Sequence, residues 1–199
     1  LAGSLGERII DKTQVARELR QFVSQRVPAL ELAADAAAWK REASSLRRQV
    51  LRDVVFRGVP ASWRRPSPAV EWLDRIETAD GYSIRKLRVE ALPGLWIPAL
   101  LYEPDKLEGK VPVILNVNGH AATGKVTSYK QIRCINQAKQ GMLALNLEWI
   151  GMGQLRSAGY SHNHLGLLDL CGRSGLSVFY LAMSRGIDVL LDHPHADPE

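Results

Sequence analysis

Cysteine is scarce in this chain: of 199 residues, only Cys134 and Cys171 carry a thiol. Two cysteines do not make a disulfide framework, so stability must come from a packed core, and a chain of this length can bury one. Long apolar runs are also missing. Nothing approaches the roughly 20 residues a helix needs to cross a bilayer, which excludes a helical membrane span. Charge of one sign is in small excess, a net +5, and 46% of residues are hydrophobic against 24% charged, the balance of a globular enzyme part. Much of the positive charge sits in Lys40, Arg41, Arg47, Arg48 and Arg52 on one helix, and in Arg64-Arg65. No aromatic platform or known motif accompanies it, so it reads as a solvated helix face and not as a nucleic-acid surface. The chain begins without a methionine or a signal peptide, which leaves the compartment open.

What is present organises itself around Val111-Pro112-Val113-Ile114-Leu115-Asn116-Val117-Asn118-Gly119-His120. The β-branched apolar stretch predicts a buried strand that stops at Asn-Gly-His. Glycine there permits a sharp turn and can leave amide groups pointing into open space. Ser128 to Gln140 follows with Tyr129, Ile132, Ile135 and Ala138 at helical spacing, and Gly141 closes it as a C-terminal cap. Met142 to Leu147 predicts a second buried strand, ended by Glu148-Trp149-Ile150-Gly151-Met152-Gly153. Strand, helix, strand at this spacing is a βαβ unit with a parallel pair and a right-handed crossover. A last helix is expected over about 175–191, with Leu176, Phe179, Met183, Ile187 and Leu190 at steps of three and four.

Residues 1–69 predict a separate helical segment and linker. Asp11 and Gln14 have the spacing of a capping box, opening a helix with Val15, Leu19, Phe22 and Val23 on one face. A second helix is expected over 34–50, with Trp39, Leu46 and Val50 as core contacts. Gly58, Pro60, Pro66 and Pro68 punctuate the linker. Three short strands follow, over 71–77, 83–90 and 96–102, the first two joined by the hairpin signal Asp80-Gly81.

Strand, Asn-Gly-His, helix, strand, Gly-x-Gly, long helix and then His193-Pro194-His195-Ala196-Asp197-Pro198-Glu199 resembles the α/β-hydrolase superfamily, in its acetyl-xylan-esterase and dienelactone-hydrolase-like branch. The resemblance covers residues 70–199. It implies an α/β fold, here the N-terminal part of an α/β-hydrolase domain, and hydrolysis of carboxylic esters, carbohydrate esters among them, by serine acyl transfer without cofactor or metal. In that family the residue after the glycine of the His-Gly-x turn gives a backbone N–H to the oxyanion hole; Gly119 and His120 match those positions. The chain departs from the pattern at Asn118, where histidine is usual, and at Glu148, where aspartate is common. The family continues Asp-Pro-Glu into a strand and a Gly-x-Ser-x-Gly elbow, with the triad in the order Ser, Asp or Glu, His. On that pattern the nucleophile, acid and base lie beyond Glu199 in a missing C-terminal part of the same protein, and this chain alone is expected to be inactive. A non-catalytic module that kept the fold without the triad is the alternative.

Three motifs are set aside. Cys171-Gly172-Arg173-Ser174-Gly175 follows an apolar stretch and precedes a helix, as an elbow does, but Leu176 stands where a small residue is needed; Ser174 is expected to cap the helix with its hydroxyl. Gly151-Met152-Gly153 starts like a dinucleotide fingerprint, yet Arg156 takes the third glycine's place. His162-Asn163-His164 lacks cysteine or acidic partners at ligand spacing and reads as a polar loop.

Overall fold

The computed structural model describes residues 2–29, 31–64, 69–159 and 161–198. Arg65, Pro66, Pro68 and Glu199, invoked above for the linker and the chain end, lie outside the described residues. The chain divides into two compact units, Leu1–Leu46 and Arg47–Glu199.

The first unit is helical, with α1 (Ala2–Leu5) and α2 (Gln14–Ser24). The expected capping box does not form. Asp11 Oδ1 accepts the Thr13 N–H at 2.8 Å and the Thr13 hydroxyl at 2.5 Å, while Gln14 donates forward to Glu18 at 2.7 Å. The short aspartate side chain prefers a local turn two residues on, and Gln14 prefers its neighbour one helical turn ahead. α3 (Ala36–Val50) starts where Asp35 Oδ1 accepts the Ala38 N–H at 2.7 Å, and runs on into a π-helical turn over Leu51–Val55. Its expected core contacts are not core: Trp39, Leu46 and Val50 are each more than 40% exposed, and no residue of α3 is buried. The periodicity marks a helix, but burial also needs a neighbouring layer.

The second unit is built on a five-stranded sheet in the order β1-β2-β3-β5-β4. β1 (Val70–Glu77), β2 (Tyr82–Leu92) and β3 (Leu95–Pro104) form an antiparallel meander, its first turn resting on Gly81 at φ +84°. β4 (Val113–Asn116), α4 (Ser128–Lys139) and β5 (Leu143–Leu147) are the βαβ unit, with Val113 to Asn116 paired in parallel to Leu143 to Asn146. β5 also pairs antiparallel with β3, which puts it in the middle of the sheet. All five of its residues are buried, as a strand with helices on both faces requires, Asn146 being the one polar residue among them. Leu143, Leu145 and Leu147 meet α6 (Leu176–Leu191) through Val178, Leu181 and Val189. On the opposite face Ala144 packs with Cys134 and Ala138 of α4 and with Tyr82 and Tyr102.

Two helices turn inward a face that only partly coincides with the one their apolar spacing predicts. α4 buries Lys130, Cys134 and Ala138, and leaves Tyr129 and Ile132 more than half exposed. α6 buries Val178, Leu181, Ala182, Gly186 and Val189; of the expected positions Leu190 is buried and Phe179 and Met183 pack partly on the core, while Leu176 and Ile187 are about half exposed. α6 is apolar nearly all round, so the periodicity could not single out one face. Gly186 sets its approach: a Cβ there would stand 2.6 Å from Leu147 Cδ1 and 2.8 Å from Leu115 Cδ1.

The strand-turn-helix context suggested for Ser174 is absent, because 162–170 coils into a 3-10 turn (His162–Gly166) and α5 (Leu167–Leu170). Nor does the Ser174 hydroxyl cap α6. The cap position is Gly175, with no side-chain cap bond, and Ser174 serves through its backbone: its N–H donates to the Arg57 carbonyl at 3.0 Å and its carbonyl accepts the Ser177 hydroxyl at 2.6 Å. Past α6 the chain comes back alongside the start of β4. Val111 N–H donates to the His195 carbonyl at 2.8 Å and Asp197 N–H to the Val111 carbonyl at 2.9 Å, a parallel bridge on the sheet edge not occupied by β5.

Candidate active site

The carboxyl ends of β4 and β5 lie side by side, and the loops leaving them are joined by buried polar bonds. Such an end of a parallel pair is where α/β proteins bind ligands. From β4 comes the turn Val117-Asn118-Gly119-His120. Asn118 is 2% exposed; its amide nitrogen donates to Asn146 Oδ1 at 2.5 Å and to the Leu147 carbonyl. Asn118 therefore ties the turn to β5.

From β5 comes Glu148, 1% exposed, whose carboxylate is enclosed by the loops that follow β4 and β5. Oε1 accepts the Lys125 N–H at 2.7 Å; Oε2 accepts Lys125 Nζ at 2.9 Å and the Gln154 N–H at 3.2 Å. Lys125 Nζ also donates to Gln154 Oε1 at 3.1 Å, and the Lys125 carbonyl accepts the Asn146 amide at 3.0 Å. Two glycines make room for the carboxylate. A Cβ on Gly124 would fall 1.9 Å from Glu148 Oε1, and one on Gly153 would fall 2.3 Å from Oε2. A buried ion pair holds only when its remaining lone pairs are satisfied in this way.

His120 sits on the rim of an open cleft of about 850 Å³, lined also by Gly151, Met152, Arg156 and His162, with Gly119 next to it in the chain. The His120 N–H makes no hydrogen bond among the described residues. The His120 imidazole meets His162 edge to face, ring centroids 4.5 Å apart and Nε2 to Nε2 2.9 Å, a distance at which one ring donates to the other. Beneath them Trp149 stacks on Phe179 at 4.6 Å, and His162 lies edge-on to Phe179 at 6.5 Å. A second, apolar groove of about 440 Å³ runs between Val117 and Leu115 of the β4 side and Phe179, Met183 and Ile187 of α6.

His164 serves structure: its Nδ1 accepts the Ser161 N–H at 2.9 Å in a capping box of the 3-10 turn. Among the described residues no three His, Cys, Asp or Glu side chains gather as metal ligands. Cys134 is buried and Cys171 exposed, both as free thiols.

Of the expected pair, His120 lines the cleft and Gly119 does not; Ser174 is also absent from its lining, and Lys125, Glu148 and Lys130, which sequence reasoning did not assign, form the polar bonds behind the turn. Their signal was present in the glycines Gly124, ahead of α4, and Gly153, after β5, and in a lysine four residues ahead of Cys134.

No protein-family model matches the chain, and no curated protein matches its sequence. Solved structures do match its fold. A Bacteroides fragilis protein assigned as an acetyl xylan esterase aligns over 96% of this chain and 53% of its own, at 16% identity and a TM-score of 0.69. A methylesterase aligns over 83% of this chain and 35% of its own, at 22% identity and a TM-score of 0.63. Acetyl xylan esterase 1 of a Thermoanaerobacterium species aligns over 75% and 52%, at 18% identity and a TM-score of 0.55. The chain spans about half the length of these structures or less. Its fold is part of the α/β-hydrolase fold, as the order of its elements implied.

Proposed function

We propose that the protein is a carboxylic ester hydrolase acting on carbohydrate esters by serine acyl transfer, and that this chain supplies the oxyanion side of its site. The observation that carries the proposal is His120, after the carboxyl end of β4 and on the rim of the cleft, whose N–H makes no hydrogen bond among the described residues. Acyl transfer builds negative charge on the carbonyl oxygen as the nucleophile adds, and a fixed backbone donor at that point lowers the barrier. Collapse of the intermediate then releases the alcohol, and water hydrolyses the acyl-enzyme. The fold shared with proteins named acetyl xylan esterase and methylesterase supports ester chemistry.

The nucleophile and its two partners are assigned to a C-terminal part of the same protein. In support, the bridge between Val111 and Ala196 starts the chain parallel to β4 along its open edge. A strand continuing in that register would end beside the Gly119-His120 turn. The apolar groove between β4 and α6 would be covered by the elements that follow.

In the full-length protein, release of acetate from acetylated xylan tests the assignment. His120→Ala keeps the amide and retains most turnover. His120→Pro removes it, and turnover falls by about 10²–10³, the usual loss for one oxyanion donor. Circular dichroism establishes that the proline variant is folded. Unchanged turnover in a folded His120→Pro protein refutes the oxyanion role, and a full-length protein without esterase activity favours the non-catalytic module.

A further inference from the structure

α4 carries a lysine in the middle of its buried stripe. Lys130 is 1% exposed and shares its face with Cys134 and Ala138. Its Nζ donates to the Gly119 carbonyl at 3.2 Å and stands 5.9 Å from the Tyr129 ring centroid. Burial holds its pKa below the usual lysine value, against the pull of the Glu148 carboxylate and with a push from Arg133. An ammonium removed from water with a single carbonyl to bind is an expensive helix-to-sheet contact. Methionine would fill the same space without that cost, so packing gives no reason for lysine here.

The carbonyl that Lys130 holds belongs to the peptide whose other end is the His120 N–H. Among the described residues there are no cis peptide bonds. In a planar trans peptide the C=O and the following N–H point in opposite directions. A carbonyl drawn toward α4 therefore sends the N–H away from α4. The rest of the turn is fixed on either side, by Asn118 before and by Lys125 with Glu148 after. Gly119 between them has open space where a Cβ would be, so packing alone does not stop its peptide from rotating. Rotation would bring the carbonyl oxygen to where the N–H now stands, an acceptor in place of a donor.

We infer that Lys130 is a positioning residue for ester hydrolysis: by gripping the Gly119 carbonyl it keeps the His120 N–H aimed at the developing oxyanion. The inference rests on the oxyanion role proposed for His120. Lys130 touches no substrate; it acts through one peptide plane.

A double-mutant cycle in the full-length protein tests it, with Lys130→Met, His120→Pro and the two combined. Lys130→Met is expected to lower kcat about 10- to 100-fold, part of the loss for a missing donor, with KM little changed and a melting temperature that does not fall. In the His120→Pro background the same change costs nothing further, because the amide it aims is gone. The His120 amide resonance in ¹⁵N-labelled protein moves on Lys130→Met. An equal loss in both backgrounds, an unshifted resonance, or full activity with an intact oxyanion effect of His120→Pro overturns the inference alone. Normal turnover in folded His120→Pro removes the oxyanion role instead, and the inference with it. Lys130→Gln, which keeps a polar donor but cannot reach as far, takes the place of Lys130→Met should that variant not fold, with the same cycle and the same refuting outcomes.

Discussion

Replacing Glu148 by glutamine removes one charge from a pair that water does not reach. Glu148 is 1% exposed and the Lys125 side chain 4%. The carboxylate takes three donors: two backbone N–H groups and the ammonium. Glutamine offers one oxygen and turns an NH₂ group toward the rest. If its oxygen stays with Lys125 Nζ and the Gln154 N–H, the NH₂ faces the Lys125 N–H; if it turns, the NH₂ faces the ammonium. Either way a donor opposes a donor, and the lysine charge stays buried without its counter-charge. Breaking a buried pair from one side costs about 3–5 kcal/mol. For a domain of this size each kcal/mol moves the midpoint by about 2–4 °C, so melting should fall by roughly 6–20 °C. Urea and thermal unfolding followed by circular dichroism read it directly. Removing the stranded charge as well, in Lys125→Met with Glu148→Gln, should recover a large part of the loss. A Glu148→Gln protein within about 1 kcal/mol of the parent, or a double variant weaker than the single, would refute the view that this pair is enclosed and satisfied.

Further expectations follow from the same contacts. His193 Nε2 meets Glu103 Oε1 at 3.2 Å while its Nδ1 accepts the His195 N–H at 3.2 Å, and burial, aided by His195 and Arg85 and opposed by Glu103, holds its pKa below the usual histidine value of 6.5. The unfolded chain then takes up the proton more readily, so this share of stability is whole above pH 6.5 and is lost as pH falls below it; His193→Gln should flatten urea midpoints measured across that range. Gly186→Ala places a methyl group against Leu147 and Leu115 and should destabilise by about 1–3 kcal/mol in urea titration. Ser174→Ala removes a hydroxyl that caps nothing and should change stability by less than about 0.5 kcal/mol, a loss near 1 kcal/mol reinstating the cap. Burial pushes the Cys134 thiol up to about 11, so iodoacetamide at neutral pH should label native protein at Cys171 alone, as peptide mass mapping would show.

The strands were legible because their signals are local. Apolar runs, the Asp80-Gly81 turn and the glycine after α4 located β1 to β5 within one to three residues, and the spacing of β4, α4 and β5 dictated a parallel crossover. Facing was harder. On α4 a lysine in the stripe broke the pattern, since Lys130 reads as solvent-exposed by residue type, and only the Gly119 carbonyl beneath it explains its burial. On α6 apolar residues on every side left the inward face undefined until Gly186 and the sheet chose it. Glu148 was visible as an unusual residue at the end of β5, yet its partner, Lys125, lies across the crossover, and no one-dimensional pattern pairs the two. Polar networks of this kind depend on distances across the fold, which hydrophobic periodicity does not encode.

The order of strands in space has a consequence for the order in which they assemble. β1, β2 and β3 are neighbours both in the chain and in the sheet, so their hairpins close short loops and can form while the rest is still being made. β4 emerges next but has no place beside β3; that position belongs to β5, which is made later. β4 must therefore wait for α4 and β5, and then dock with them as one unit against the finished meander. Mutations in the β2–β3 hairpin should accordingly slow folding, and mutations in β4 should chiefly speed unfolding.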